Sequence, residues 1–379
     1  MKVIRFTFVM LFLGLSGCGG AGSENITDNI QNTTEENNLQ AAATSLATCT
    51  TCTPSRVGSH AIMFTGMSME TKDFLASAAA ASNAGMIRMD FTWGFTQPSP
   101  SRTYNWRSID ESVRAARKNN LEILALIAET PAWASSMPND PSYRSYPPAP
   151  QYWVEWEAFI KAFVDRYGVK GTKEIRHWEI WGEANDAGQW LGTTSEYAQL
   201  YSRAYNAIKR SDPGAQVLMA GMNESNQPDW LNAVLNDATY PARNKIDIID
   251  VHIRGNWNRV RDLTAAWKEA FRSQGIQNKP FWITEFGFPS SPIFQSQWNS
   301  TYFLGVDEAD GQQKQANFYY ATIPSLLSSG GVDRIFVTLR DLDAPETPWE
   351  SEGIITKDGN PKAAFSAIRT ISDLFRIKS

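Results

Sequence analysis

His177-Trp178-Glu179-Ile180-Trp181-Gly182-Glu183-Ala184-Asn185 and Phe281-Trp282-Ile283-Thr284-Glu285-Phe286-Gly287 are mainly apolar runs that each close on a carboxylate. Short, continuous apolar runs suit strands buried on both faces, the kind found in parallel sheets. Runs of this kind recur at Ala61–Phe64, Met86–Phe91, Leu121–Ile127, Ile175–Trp181, Gln216–Ala220, Ile246–His252, Phe281–Thr284 and Arg334–Leu339, which predicts eight strands. Helical patterns lie between them. Ser108-x-x-Glu111 and Thr193-x-x-Glu196 have the spacing of capping boxes, and Tyr197, Leu200, Tyr201, Ala204 and Ile208 follow at helical intervals. Leu263, Ala266, Trp267, Ala270 and Phe271 do the same ahead of Gly275, a candidate C′ residue, and Pro361 suits a helix start before Phe365, Ile368 and Ile371.

Strands alternating with helices imply βαβ units and a parallel sheet. Eight such pairs in one chain predict an α/β fold, a (β/α)₈ TIM barrel. An open doubly wound sheet is the rival, but no glycine-rich phosphate turn follows the first run. The long loops follow strands: Pro131 to Tyr152 after the third, Pro289 to Gln312 after the seventh, Asp341 to Gly353 after the eighth. In this fold the site lies at that C-terminal face.

Glu183 and Glu285 therefore fall at the barrel rim, on strands from opposite sides. Glu285 sits between Trp282 and Phe286 without an acidic neighbour, and desolvation disfavours its charge. Cleavage of a glycosidic bond gives such a pair a purpose. One carboxylic acid protonates the leaving oxygen while a second carboxylate attacks the sugar carbon. An ionised Glu285 nearby would keep Glu183 protonated as the acid.

These two segments resemble the fourth- and seventh-strand motifs of clan A retaining glycoside hydrolases, family 39 and its exopolysaccharide-cleaving relatives first, family 5 next. The resemblance extends to Ile87-Arg88-Met89-Asp90-Phe91-Thr92-Trp93, Glu129-Thr130-Pro131-Ala132-Trp133, Asp250-Val251-His252, Gly353-Ile354-Ile355 and Asp358 to Phe365, in strand order. It implies that Glu183 is the acid/base, Glu285 the nucleophile, and the anomeric configuration retained. Arg88 would lie beneath the nucleophile and hold it ionised, or else pair with Asp90. His252 would hydrogen-bond sugar or Glu285, or be a buried structural residue. Trp93, Trp133, Trp257 and Trp349 are candidates for stacking on sugar, and Asn185 for substrate binding. Glu129 is an acidic candidate or a loop residue. Two departures stand out. Gly182 occupies the position where the family commonly has Asn, which binds the sugar 2-hydroxyl. Arg254 follows His252 where Tyr often orients the nucleophile.

The expected partner is a polysaccharide or oligosaccharide, cleaved at β-linkages within a bacterial exopolysaccharide or plant-type glycan. The alternatives are a catalytically silent carbohydrate-binding lipoprotein on the same barrel and a structural or adhesion lipoprotein without sugar affinity. The formal net charge of -5 argues against nucleic acid, and 14 Trp suit sugar faces or a large core. With 3 His and no H-E-x-x-H or P-loop spacing, neither metal nor other cofactor is expected.

Residues 1–18 are set apart from the barrel. Lys2 and Arg5 precede an apolar run from Phe6 to Leu15, too short to span a bilayer as a helix, and Leu15-Ser16-Gly17-Cys18 ends it. This resembles a bacterial lipoprotein signal with Cys18 as the lipidated residue. The alternative is a secretory signal cut near Gly20 or Ala21. Gly19 resembles outer-membrane sorting in a Gram-negative host. Residues 19–55 read as a flexible polar linker, and 56–379 as the single barrel domain. Cys49 and Cys52 suit a small-loop disulfide in an exported chain. The protein is thus expected to be exported and held at the outer membrane by lipid alone. Cys18→Ser should release it from the membrane fraction with the barrel's melting temperature unchanged. A variant that fractionates like the wild type would refute lipidation.

Overall fold

A computed structural model of the chain describes residues 54–63, 66–223, 228–291, 311–342 and 347–377. Eight strands run β1 (Val57–His60), β2 (Met86–Thr92), β3 (Glu122–Ala128), β4 (Ile175–Gly182), β5 (Gln216–Gly221), β6 (Ile249–Arg254), β7 (Phe281–Gly287) and β8 (Arg334–Thr338). They form one sheet in the order β5-β4-β3-β2-β1-β8-β7-β6 with parallel pairing. Its two ends meet through parallel bridges from Leu218 to Ile248 and Met222 to Val251. The His252 N–H donates to the Met222 carbonyl at 2.7 Å across this seam. The sheet is therefore a closed barrel.

One principal helix follows each strand: α1 (Met69–Ala81), α2 (Arg107–Lys118), α3 (Trp153–Tyr167), α4 (Thr194–Ser211), α5 (Pro228–Leu235), α6 (Trp257–Ser273), α7 (Gly311–Ser328) and α8 (Ala363–Leu374). α4 opens on the expected capping box. The Thr193 hydroxyl accepts from the Glu196 N–H at 3.2 Å, and the Glu196 carboxylate accepts from the Thr193 N–H at 2.7 Å. Gly275, just past α6, has φ +75°, the left-handed turn expected of a C′ residue.

Three local expectations are corrected. Ser108-x-x-Glu111 does not cap α2, which begins one residue earlier; both side chains instead accept hydrogen bonds from the buried Lys72 Nζ, at 2.8 and 2.9 Å. A lysine ammonium cut off from water needs such partners more than a helix end does. Pro361 lies outside α8, whose N-cap is Lys362. The first strand is Val57–His60, ahead of the more apolar Ala61–Phe64, of which Phe64 lies outside the described residues. A Cβ on Gly58 would stand 2.6 Å from the Phe336 ring, so this strand has yielded its side chain to a neighbour inside the barrel. The signal peptide, the linker to residue 53, Cys18, Cys49, Cys52 and most of the loop after β7 lie outside the described residues.

The core has two parts. The larger packs the outer faces of the strands against the helices. The smaller, Met86, Leu124, Leu218, Ile248, Trp282 and Phe336, is a separate apolar plug. Successive side chains of a strand alternate between faces. Above Met86 the same face of β2 therefore carries Arg88 and then Asp90. The barrel interior changes from apolar at its base to charged toward the C-terminal ends of the strands. Residues 55 and 56 tie the chain's entry to its last helix: Ser55 bridges Arg376, and the Arg56 N–H donates to the Phe375 carbonyl at 2.9 Å.

Candidate active site

Arg88 is fully buried. Its Nε and Nη2 donate to the two oxygens of Glu179 on β4 at 2.6 and 2.7 Å, a bidentate pair. Its Nη1 donates to Glu285 Oε1 at 2.9 Å and faces His60 Nε2 at 3.0 Å. His60 in turn lies 3.4 Å from Asp90 Oδ2. Arg88 thus lies against Glu285, and the carboxylate it holds in a bidentate pair is Glu179, not Asp90.

Glu285 reaches this position because the β6–β7 pairing slips. Val251 pairs with Ile283 and His252 with Glu285, so Thr284 is an extra residue. Such a bulge re-aims side chains. Thr284 Oγ1 donates to Asp250 at 2.5 Å, and Glu285 meets Arg88. Arg254, at the end of β6, donates through Nη2 to Glu285 Oε2. Burial acts to raise the Glu285 pKa, but its electrostatic interactions with His252, Arg88, Arg254 and His60 outweigh it and hold this carboxyl well below the usual range. Asp250 goes the other way. Burial, and then the charge of Glu179, push it well above the usual range.

Glu183 follows β4 in an irregular turn. Trp181 and Glu183 take φ +71° and +47°, a left-handed conformation that costs non-glycine residues of order 1–3 kcal/mol each. The Glu183 N–H is held by the Gly221 carbonyl at 3.1 Å. His252 Nδ1 lies 2.8 Å from Glu183 Oε1, and its Nε2 lies 3.7 Å from Glu285 Oε1. Glu183, His252 and Glu285 each bring one atom within 4.8 Å of the others. The trio could hold a cation by position, but the guanidiniums already bound to Glu285 oppose one.

The remaining candidates divide. Trp93 is 1% exposed, stacked on Phe159 and edge-on to Trp133, and donates through Nε1 to Gln97; it is a core residue and not a sugar platform. Asn185 is buried, and both ends of its amide bind Asn223, so it joins the loops after β4 and β5 instead of facing substrate. Trp133, Trp257 and Trp349 are half-buried. Trp133 packs edge-on to Tyr152 and donates to the Gln97 carbonyl at 2.9 Å. Glu129 takes φ +65°, and burial raises its pKa despite Arg144 at 3.4 Å. His252 contacts Glu183 more closely than Glu285.

Five residues of the network were not singled out as site residues from sequence: Glu179, Arg254, His60, Asp250 and Glu352. Glu179 had a signal, a carboxylate inside an apolar run. Glu352 had none, since it meets Arg254 across 98 residues of chain.

Two glycines shape the site in opposite ways. A Cβ on Gly221 would lie 2.1 Å from His252 Nε2, so glycine there admits the imidazole. A Cβ on Gly182 would meet only Leu126 Cδ2, at 3.8 Å, and Gly182 has no positive φ. No backbone strain calls for glycine at 182; it leaves open space.

The family model for cellulases, glycosyl hydrolase family 5, matches residues 36–310. No curated protein sequence matches the chain. Among solved structures, a family 39 glycoside hydrolase from Bacteroides cellulosilyticus is 18% identical, with TM-score 0.61, over 86% of this chain and 64% of that one. The family 39 enzyme from Xanthomonas axonopodis pv. citri is 17% identical with TM-score 0.60, over 86% and 68%. A family 5, subfamily 18 protein from Streptomyces cattleya, in complex with GlcNAc, is 15% identical with TM-score 0.60, over 87% and 82%. At these identities the likeness is one of fold.

The two glycines give a paired prediction. Gly221→Ala should destabilise the protein by about 1–3 kcal/mol through overpacking against His252. Gly182→Ala should stay within about 0.5 kcal/mol of wild type. Urea unfolding measures both, and equal stabilities would contradict the packing described.

Proposed function

Since the chain belongs to the cellulase family, glycosyl hydrolase family 5, we propose that it hydrolyses β-glycosidic bonds of a polysaccharide with retention, Glu285 serving as nucleophile and Glu183 as acid/base. The observation that carries this reading is the pairing of unlike environments. Glu285 takes a guanidinium on each oxygen, Arg88 on Oε1 and Arg254 on Oε2, while Glu183 has the His252 imidazole at 2.8 Å as its nearest partner and Arg254 only at 3.8 Å. In the first step a Glu285 oxygen attacks the anomeric carbon, the glycosidic C–O bond breaks, and the leaving oxygen takes the proton of Glu183. In the second, Glu183 removes a proton from water, whose oxygen attacks the same carbon and releases Glu285. Arg88 and Arg254 offset the charge that returns to Glu285 on release. His252 orients Glu183 within its hydrogen bond.

The substrate we propose is a β-linked polymer, a bacterial exopolysaccharide or plant-type glycan, cut internally by an enzyme tethered through a lipid on Cys18. A silent sugar-binding lipoprotein is the second reading. It predicts affinity without turnover on a panel of polysaccharides. Loss of Glu285 to Ala should abolish turnover of every substrate. Glu183→Ala should spare the first step for aryl glycosides with good leaving groups, which need little protonation, and added azide should yield a β-glycosyl azide. Equal losses on good and poor leaving groups would remove Glu183 from the acid role.

The space at Gly182 bears on the sugar at the cleavage point. Where related enzymes place Asn against the 2-hydroxyl, this chain offers no side chain, and the room suits an axial hydroxyl, as in mannose, or a bulkier 2-substituent. The enzyme should therefore show little preference for an equatorial 2-hydroxyl. Comparing kcat/KM on matched gluco, 2-deoxy and manno aryl glycosides tests this. A loss of roughly 3 kcal/mol on removing the gluco 2-hydroxyl, the scale of one oxyanion donor, would show that another residue makes the contact.

A further inference from the structure

Glu352 lies at the end of the helical turn Pro348–Ser351, after β8, with its side chain fully buried. Its Oε2 is 3.1 Å from Arg254 Nε. The same guanidinium binds Glu285 through Nη2 and stands 3.8 Å from Glu183 through Nη1. One arginine thus faces three carboxylates on three different strands or loops. Its long side chain has no intrinsic reason to favour Glu285 over Glu183.

Glu352 supplies that reason. Its carbonyl accepts from Gln315 Nε2 at 3.0 Å and Tyr319 OH at 3.2 Å, which fixes this part of the loop against α7. Gly287, two residues past Glu285, leaves room for it: a Cβ there would stand 2.2 Å from Glu352 Oε2. A buried carboxylate is costly unless paired. The fold has brought one here, made space for it, and aimed it at the far side of the Arg254 guanidinium.

We infer that Glu352 is a positioning residue for Glu285, acting through Arg254; the inference rests on the reading of Glu285 as nucleophile. With Glu352 in place the guanidinium is held on Glu285. Without that charge, Glu183, 3.8 Å from Nη1, competes for the guanidinium, whose approach favours the ionised form of the group that must deliver a proton.

The test uses 2,4-dinitrophenyl 2-deoxy-2-fluoro-β-glucoside and β-mannoside as probes. Glu285 attacks the anomeric carbon, the bond to the phenolic oxygen breaks, and dinitrophenolate leaves without needing a proton. The rate constant of labelling, kinact, belongs to each folded molecule and is not changed by a partly unfolded sample. Glu352→Gln should lower kinact about ten-fold or more with KI within about two-fold. Arg254→Ala should lose at least as much. In the Arg254→Ala background, Glu352→Gln should cost less than about two-fold, because residues acting through one contact are non-additive. Wild-type kinact in Glu352→Gln, or an equal loss in both backgrounds, would overturn the inference. Should Glu352→Gln not fold, Arg254→Lys, which keeps the charge but cannot span both carboxylates, should show the same fall in kinact at constant KI; unchanged kinact there would also overturn it. A wild type that labels with neither probe would overturn the reading of Glu285 together with this inference, whereas a labelled wild type with indifferent variants overturns this inference alone.

Discussion

Arg88 places a full positive charge inside the barrel, with no exposed surface, above the apolar plug that closes its base. An isolated charge there would be untenable, and what surrounds it follows from that. Glu179 takes two of its donors in a bidentate pair, so that carboxylate is committed to structure. A third nitrogen is directed at Glu285 and His60. The arginine that the fold must neutralise is thus also, with His252 and Arg254, one of the groups that lower the pKa of the Glu285 carboxyl. Removing one member of such a network leaves its partners buried and uncompensated, so its parts are not independent.

The network holds more acids than guanidiniums. Glu179, Glu285, Glu352 and Asp250 share Arg88 and Arg254. The surplus is resolved by position. Asp250 bonds to Thr284 and lies next to the charge of Glu179, so its carboxyl is pushed toward the neutral form. Glu285 touches both arginines and is pushed toward the charged form. Two carboxyls on adjacent strands acquire opposite character from their contacts alone.

Irregular backbone does the aiming. A bulge where β6 pairs with β7 turns Thr284 and Glu285 to their partners, and left-handed residues at 181 and 183 turn the chain at the end of β4. Glycines at 221 and 287 open the space into which His252 and Glu352 reach. In a regular barrel neighbouring strand residues point to opposite faces, and this crowding of side chains over the centre would not arise.

Seven of the eight strands were legible near their observed places, because a strand covered by helices on one side and barrel interior on the other must be apolar along its length. The first was misplaced by four residues, since Val57–His60 gives one position to Gly58, under Phe336, and another to His60, in the network. Glu183 and Glu285 could be picked out because a carboxylate closing an apolar run is a local anomaly. Trp93 and Asn185 could not be judged that way: whether a side chain faces a cleft or a neighbour depends on what packs against it. The linear order of residues determined the alternation of strand and helix, and hence the barrel and the two rim carboxylates, because burial periodicity is written into neighbouring positions. Only the tertiary structure decided which arginine meets which acid, that His252 contacts Glu183, and that Glu352 joins the network at all. Those are contacts between distant segments, and their energies depend on distances and burial that no local pattern encodes.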